Sequence, residues 1–467
     1  MMGYESFLGG PPYGGVNMDF NNSTPIINYV GRPMNFGDIT ATICDTSGNA
    51  LFYTNAVYIA DATDDTMMNG SGLSPSFYTS SVGWYGLYLP QAALIIPKPG
   101  DSTKYYLLHG TVDDSVAYAH HIYFSEIDMS LNGGLGAVTS KNNVLLNDVL
   151  IPGRITGVKH GNGRDWWIVF HQGHTNLYYI YLIDSSGIHF YSNQNIGSNL
   201  AFALGQGCFS PDGNKFAMYD ALNDLDIFDF DRCGGQFSNP IHVSINDNAA
   251  GGGVAFSKNS QVLYVSSTQY VYQFDLSSTN IPSTQTTVAV WDTFYSPHSP
   301  AATTFYLSEL APDGKIYISC TNGTLDIHAI DYPDSVGMAC HVCQHCVHLP
   351  AYNAFGIPNH PNYHLNALQG SLCDTITSIR NSQLPVGRED VNLFPNPVTR
   401  VLYVVTEKFN FKNIKIFDAF GQEVFVNFSF LKNGEYLEVN TTSLSQGVYF
   451  LELLSDKEKV VKRFVKE

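Results

Sequence analysis

Cysteine and histidine supply the first candidate chemistry. In "CQHCVHLPAYNAFGIPNHPNYH", residues 343–364, Cys343 and Cys346 stand two residues apart, and His360 and His364 follow with three residues between them. That is the ligand spacing of a two-Cys, two-His zinc site. A finger of this kind presents both histidines from one helix face. Here Pro361 lies between them, and Pro350 and Pro358 precede them. Proline and the residue before it both resist helix, so the finger is excluded as a fold and only a loop-built site survives. Haem attachment fails too, because neither Cys340-x-x-Cys343 nor Cys343-x-x-Cys346 is followed directly by histidine. Disulfides are the expected use of these cysteines, joining the 340–346 cluster to Cys373. The cysteine count of eight permits that in an oxidising compartment, and permits buried free thiols as well.

Acid–base chemistry has one candidate stretch, "KHGNGRDWWIVFHQGH", with His160, Asp165, His171 and His174. A histidine near a carboxylate can act as a general base. The plainer reading has Arg164 and Asp165 capping a strand whose Trp166 and Trp167 pack between sheets. Alternation then places Trp167, Val169 and His171 on one face. No phosphate loop, His-Glu-x-x-His or Gly-x-Ser-x-Gly occurs. Asp61, Asp64 and Asp65 cluster in "DATDDTMMNG" without the calcium-loop pattern, which reads as a solvated turn. No cofactor is expected, structural calcium or zinc being the sole candidates.

The elements that position these residues are strands. Charged residues are 14% of the chain, aromatics 13%, and there are 41 glycines. β-branched and aromatic residues suit pleated surfaces, and Gly, Asn and Ser supply turns. No long stretch repeats apolar residues at helical spacing, and the fold class is all-β. "FSPDGNKFAMYD" from Phe209, "FSKNSQVLYVSS" from Phe256 and "LAPDGKIYISC" from Leu310 share one outline, as does "CDTSGNALFYTN" from Cys44. Each is a strand, a tight turn and a second strand. Six such units are visible, at a period suiting a β-propeller blade. A ring must close, and residues 1–40 joined to the region after 340 could supply one more blade. Six to seven blades are expected over residues 1–368, with seven preferred.

Residues 369–390 are polar and turn-rich and read as a linker. Residues 391–467 hold several short alternating strands, the size of a small β-sandwich. This tail carries 10 Lys and Arg against 9 Asp and Glu, so the net charge of −18 lies on the body. Such an acidic body lacks the cations that bind phosphate backbones, which excludes nucleic acid as a partner. No apolar run reaches the roughly 20 residues of a membrane span; "LYLPQAALIIPKP" is cut by Pro90 and Pro97.

The tail resembles a known family. "NLFPNPVTRVLYV", "IKIFDAFGQEV" and "LSQGVYFLELLSDKEKVVKRFVK" are similar in order and spacing to the type A sorting domain of the type IX secretion system of Bacteroidota. The matching residues are Pro395, Asn396, Pro397, Asp418, Gly421, Gly447, Tyr449, Lys462, Arg463 and Lys466. The resemblance implies that the secretion machinery recognises 391–467, and that the protein is secreted or held at the outer-membrane surface. Such cargo also needs an export signal, and "MMGYESFLGGPPYGG" has neither the basic nor the apolar region of one. The expectation is that the sequence given starts short of the natural N-terminus. The body, with "RPMNF", "HGNGRDWW", "FDFDRCGG", "IPNHPNY" and "SLCDT", resembles secreted Bacteroidota propeller proteins, in which "PNHPNY" is a closing loop.

The expected function is therefore binding or adhesion, a propeller face engaging glycan, peptide or a surface protein. The alternative is a propeller hydrolase, lactonase-like or polysaccharide-active, with its site in the central channel. Several acidic or histidine side chains converging on that channel around a bound ion would favour the enzyme. A channel plugged by apolar residues, with exposed aromatics on one face, would favour binding. An inert structural surface component is the third reading.

Overall fold

The computed structural model describes residues 1–4, 8–22, 24–114, 117–201, 204–297, 301–371, 373–374, 391–405, 413–418, 422–431, 436–454 and 459–467. The chain divides into two compact units, Met1–Asp374 and Thr375–Glu467. The expected linker lies outside the described residues from 375 onward.

The first unit is a β-propeller. Six four-stranded antiparallel blades follow one another, each running from an inner strand outward. Their inner strands are Ile39–Cys44, Ala93–Pro97, Thr156–Lys159, Gly205–Phe209, Gly252–Phe256 and Phe305–Leu310. A single parallel bridge between Met68 and Ala137 links the outer strands of blades one and two. The repeated Ser-Pro-Asp-Gly outline is the turn from first to second strand. In blade four, Gly213 takes φ +75°, and a Cβ there would meet the Arg232 side chain at 2.7 Å. Glycine is required on both counts.

Neighbouring blades bury their faces against each other. Trp166 and Trp167 show how alternation serves this. Trp166 packs with Leu94, Ile96 and Tyr106 of blade two, while Trp167 packs with Phe216, Phe228 and Phe237 of blade four. The gap between blades six and one is filled from both ends of the body. A three-stranded sheet, Met2–Tyr4, Gly14–Asp19 and Ile26–Val30, brings Met2 and Val16 against Leu307, Leu349 and Ala351 of blade six. Ile357–Pro358 then runs parallel to Ile39–Thr40 of blade one. The seventh place is thus a three-stranded sheet with a short inner strand, smaller than the other six.

The second unit is a β-sandwich of two four-stranded sheets. Leu402, Val404, Leu437 and Val439 of one sheet face Ile416, Leu451, Leu453 and Phe464 of the other in one core. Among the described residues no helix is long and apolar enough to cross a membrane.

Candidate functional site

The propeller channel has two ends of different character. At the C-terminal ends of the inner strands it opens into a cavity of about 730 Å3. Midway, side-chain amides cross it. Gln91 donates to the Gly207 carbonyl and to Asn359 Oδ1, and accepts from Gly207 N–H, each at 2.9–3.0 Å. Asn359 donates to the carbonyls of Ala93 and Ile155. Gln206 donates to Ser308 O and accepts from the N–H of Val254 and Ser308. Inner strands that leave backbone groups facing the axis are satisfied by these amides. The cavity is therefore a cup with a polar floor.

A strap of chain begins at Asn359, and its residues 359–364 form one side of the cup. Asn362 donates to Pro211 O, the Tyr363 hydroxyl to Ile95 O and Leu368 N–H to Gly161 O. The buried Arg232 guanidinium holds the strap through carbonyls alone: Lys159, Asp212, His160 and Asn366. Burial pulls its pKa down to about 10, against which the Asp212 charge acts. A disulfide between Cys233 and Cys373 fixes the far end.

Two ionisable groups meet inside the cup. His360 Nε2, on the strap, lies 3.6 Å from Glu309 Oε1, on the inner strand of blade six. Burial raises the Glu309 pKa well above the usual carboxylate range. Burial also lowers His360 below the ordinary imidazole value. Both shifts disfavour the charged forms, as desolvation does. The remaining walls carry Ile43, Val158, Phe209, Ala255 and Leu310, with Cys44, Lys258 and His364 also on the lining.

The opposite end of the channel is closed and charged. Asp38, Arg154, Asp220, Tyr306 and His171 are all buried there, at or near the N-terminal ends of inner strands. Arg154 Nη1 bonds Asp220 Oδ2 at 3.2 Å. Burial lifts Asp38 to about 7, against which the Tyr306 phenol acts. His171 is buried against Tyr178, ring centroids 4.5 Å apart, and burial drops its pKa to about 3.

The acid–base candidates do not form one site. His160 and Asp165 stand at the start of Trp166–His171, and His171 and His174 at its end, a strand of six residues or roughly 20 Å. Asp165 accepts from Asn162 and twice from Arg164, capping the turn. His174 lies against Tyr118 at 4.6 Å.

The zinc-like set is also divided. Cys343 and Cys346 are bonded to each other on the outermost strand of blade six, whereas His360 and His364 line the cup. Cys373 pairs with Cys233 rather than with the 340–346 cluster, because the strap carries it across to blade four; Cys340 is a buried free thiol. Among the described residues no group of three or more His, Cys, Asp or Glu could hold a metal ion.

Glu309 escaped the sequence reading, though the repeat register carries its signal. Five residues before the turn glycine, blade four has Cys208 before Gly213, and blade six has Glu309 before Gly314. An acid in a register that holds Ile43, Cys208 and Ala255 in other blades marks a strand with a second task.

Of the residues singled out in the tail, Asn396, Gly447 and Tyr449 meet the last strand. Asn396 donates to Arg463 O and accepts from Val465 N–H, tying the Pro395–Pro397 turn to the last strand. Val398 N–H reaches Val465 O. Tyr449 stacks on Phe464 and donates to Ser445 O. Gly447 pairs with Lys466. Asp418 accepts from Gln422 N–H across its turn; Gly421 lies outside the described residues. Arg463 is exposed and Lys462 half-buried. Lys466 is 9% exposed, because its position on the strand faces the core beside Phe464.

Body and tail together define an exported β-propeller protein. Residues 392–467 match the family described as the secretion system C-terminal sorting domain. The tail is a type IX sorting domain, which implies handling by the type IX secretion machinery and a secreted or cell-surface protein. No curated protein matches the chain in sequence. Among solved structures, a putative 6-phosphogluconolactonase from Bacteroides uniformis is similar at 14% identity and a TM-score of 0.37, over 91% of this chain and 97% of that one. The Dos1 propeller is similar at 9% identity and a TM-score of 0.40, over 70% of this chain and 78% of that one. A functionally unknown protein from Desulfotomaculum acetoxidans is similar at 14% and 0.32, over 57% and 75%. Scores this low leave the activities of those proteins with those proteins.

Proposed function

We propose that this is an exported binding protein whose ligand is a small, largely apolar molecule held in the cup of the propeller channel. The observation that carries the reading is the cup itself. Its volume, about 730 Å3, falls in the range of small-ligand sites, and its apolar walls surround a few convergent polar groups. Lys258 and His364 also line the cup, but Glu309 and His360 are the pair that meets inside it. Held toward their neutral forms, they offer one proton donor and one acceptor to a neutral polar group on the ligand.

A hydrolase built on the same pair is the second reading. A carboxylic acid with a raised pKa beside an imidazole can transfer protons. One pair set among apolar walls favours orientation of a ligand over its cleavage. The separating experiment is binding of an environment-sensitive dye, 8-anilinonaphthalene-1-sulfonate, to wild type and to Cys44→Trp. Cys44 is exposed on the rim, so the variant should fold and lose the dye. Equal dye binding by both proteins would sink the reading. Metabolites that displace the dye unchanged support binding, and metabolites released as cleaved products support the hydrolase.

A further inference from the structure

The two disulfides of this protein are built for different purposes. Cys233–Cys373 joins residues 140 apart in sequence. Its sulfurs are packed under Gly161, where a Cβ would meet them at 2.3 and 2.8 Å. Closing so long a loop constrains the unfolded chain, as a structural crosslink does. Cys343–Cys346 joins residues three apart and constrains almost nothing.

Bringing these two cysteines together takes a distortion of the strand. Three residues along an extended strand span roughly 10 Å, yet the Cα atoms of Cys343 and Cys346 are 5.8 Å apart. The cause is a bulge. Val347 pairs with Ile327 and Cys343 with Ala329, so Gln344, His345 and Cys346 stand opposite His328 alone. His345 adopts φ +41°, an uncommon conformation for a residue with a side chain. Its N–H donates to Nδ1 of the buried His328 at 2.9 Å. Its ring stacks on Phe294 at 4.0 Å and bonds Asp292 at 2.9 Å. The bulge is thus held from below and from the side, and Cys346 is left exposed while Cys343 is half-buried.

We propose that Cys343 and Cys346 form a redox-active disulfide on the outer strand of blade six, open to exchange with a low-molecular-weight thiol. A thiolate RS⁻ attacks Sγ of Cys346; the Cys343–Cys346 bond breaks and Cys343 leaves as a thiolate. A second thiolate attacks the sulfur of R in the mixed disulfide, forming RSSR and freeing Cys346 as a thiolate. Two RSH are oxidised by two electrons, the protein disulfide is reduced, and the two protons of the thiols end on Cys343 and Cys346. Access decides which sulfur is attacked.

The test uses the full-length oxidised protein in glutathione buffers of rising reduced-to-oxidised ratio, alkylated and read by peptide mass spectrometry. Cys343 and Cys346 should become alkylated at a ratio about tenfold less reducing than Cys233 and Cys373. In Cys343→Ser, with Cys233 and Cys373 still protected as a readout of folding, Cys346 should capture one glutathione. Cys346→Ser should capture much less. Reduction of both disulfides at one ratio, Cys343 and Cys346 as free thiols at every ratio, or equal capture by the two variants would overturn the proposal.

Discussion

The two ends of the propeller channel are built from the same strands and hold opposite chemistry. At the closed end, Arg154 and Asp220 are buried as an ion pair, and Asp220 also accepts from the N–H of Leu222 and Asn223. At the open end, Glu309 and His360 face space, and both are pushed toward neutrality. The amide floor of Gln91, Asn359 and Gln206 separates the two. A buried charge whose hydrogen bonds are all made by protein organises the fold; a polar group facing a void is free to meet a ligand. On the proposed reading, one end serves structure and the other ligand binding.

The largest expected effect breaks the closed end. Arg154→Ala leaves Asp220 buried without its cation, and should cost about 3–5 kcal/mol in urea denaturation. If it costs under about 1 kcal/mol, the closed end is not the organising centre.

Removing the floor comes next. Asn359→Ala strips bonds to Ala93, Ile155 and Gln91 and should cost about 1–3 kcal/mol by the same measurement.

Titration sharpens the contrast within the closed end, where two groups act on opposite pH limbs. Asp38, raised to about 7 from 3.8, contributes stability below the ordinary value that is lost as pH rises towards 7. Asp38→Asn should therefore gain on the order of 1–4 kcal/mol at pH 8 and nothing at pH 3. His171, lowered to about 3 from 6.5, is kept neutral by burial. Its contribution is present above pH 6.5 and lost as pH falls through that value towards 3. His171→Phe should flatten this acid limb in denaturation curves taken at several pH values.

At the open end, Glu309→Gln should raise stability at neutral pH, a gain that vanishes at pH 4 in denaturation curves. Its effect on ligand affinity should be far larger.

The repeat register made the blade turns legible, since Ser-Pro-Asp-Gly and its relatives fix a local conformation whatever surrounds them. The tandem Trp166-Trp167 was legible for a similar reason, because alternation alone sends the two rings to opposite blades. The sorting tail was legible in the spacing of Pro395–Pro397, Gly447 and the last strand. The cup was not. Glu309 and His360 lie 51 residues apart and meet because the strap crosses the channel, a path no local pattern encodes. The pairing of Cys373 with Cys233 follows from the same crossing. The burial of Lys466 was not legible, because a basic side chain can lay its aliphatic stem on a core while its head reaches the chain end.

The claim that the open end is a ligand cup is tested most directly by native mass spectrometry of the protein recovered from culture fluid or the cell surface. The account predicts a small molecule retained by wild type, at one per chain, and absent from Cys44→Trp. The same bound species on both proteins, or none on wild type after exposure to metabolite extract, would contradict it.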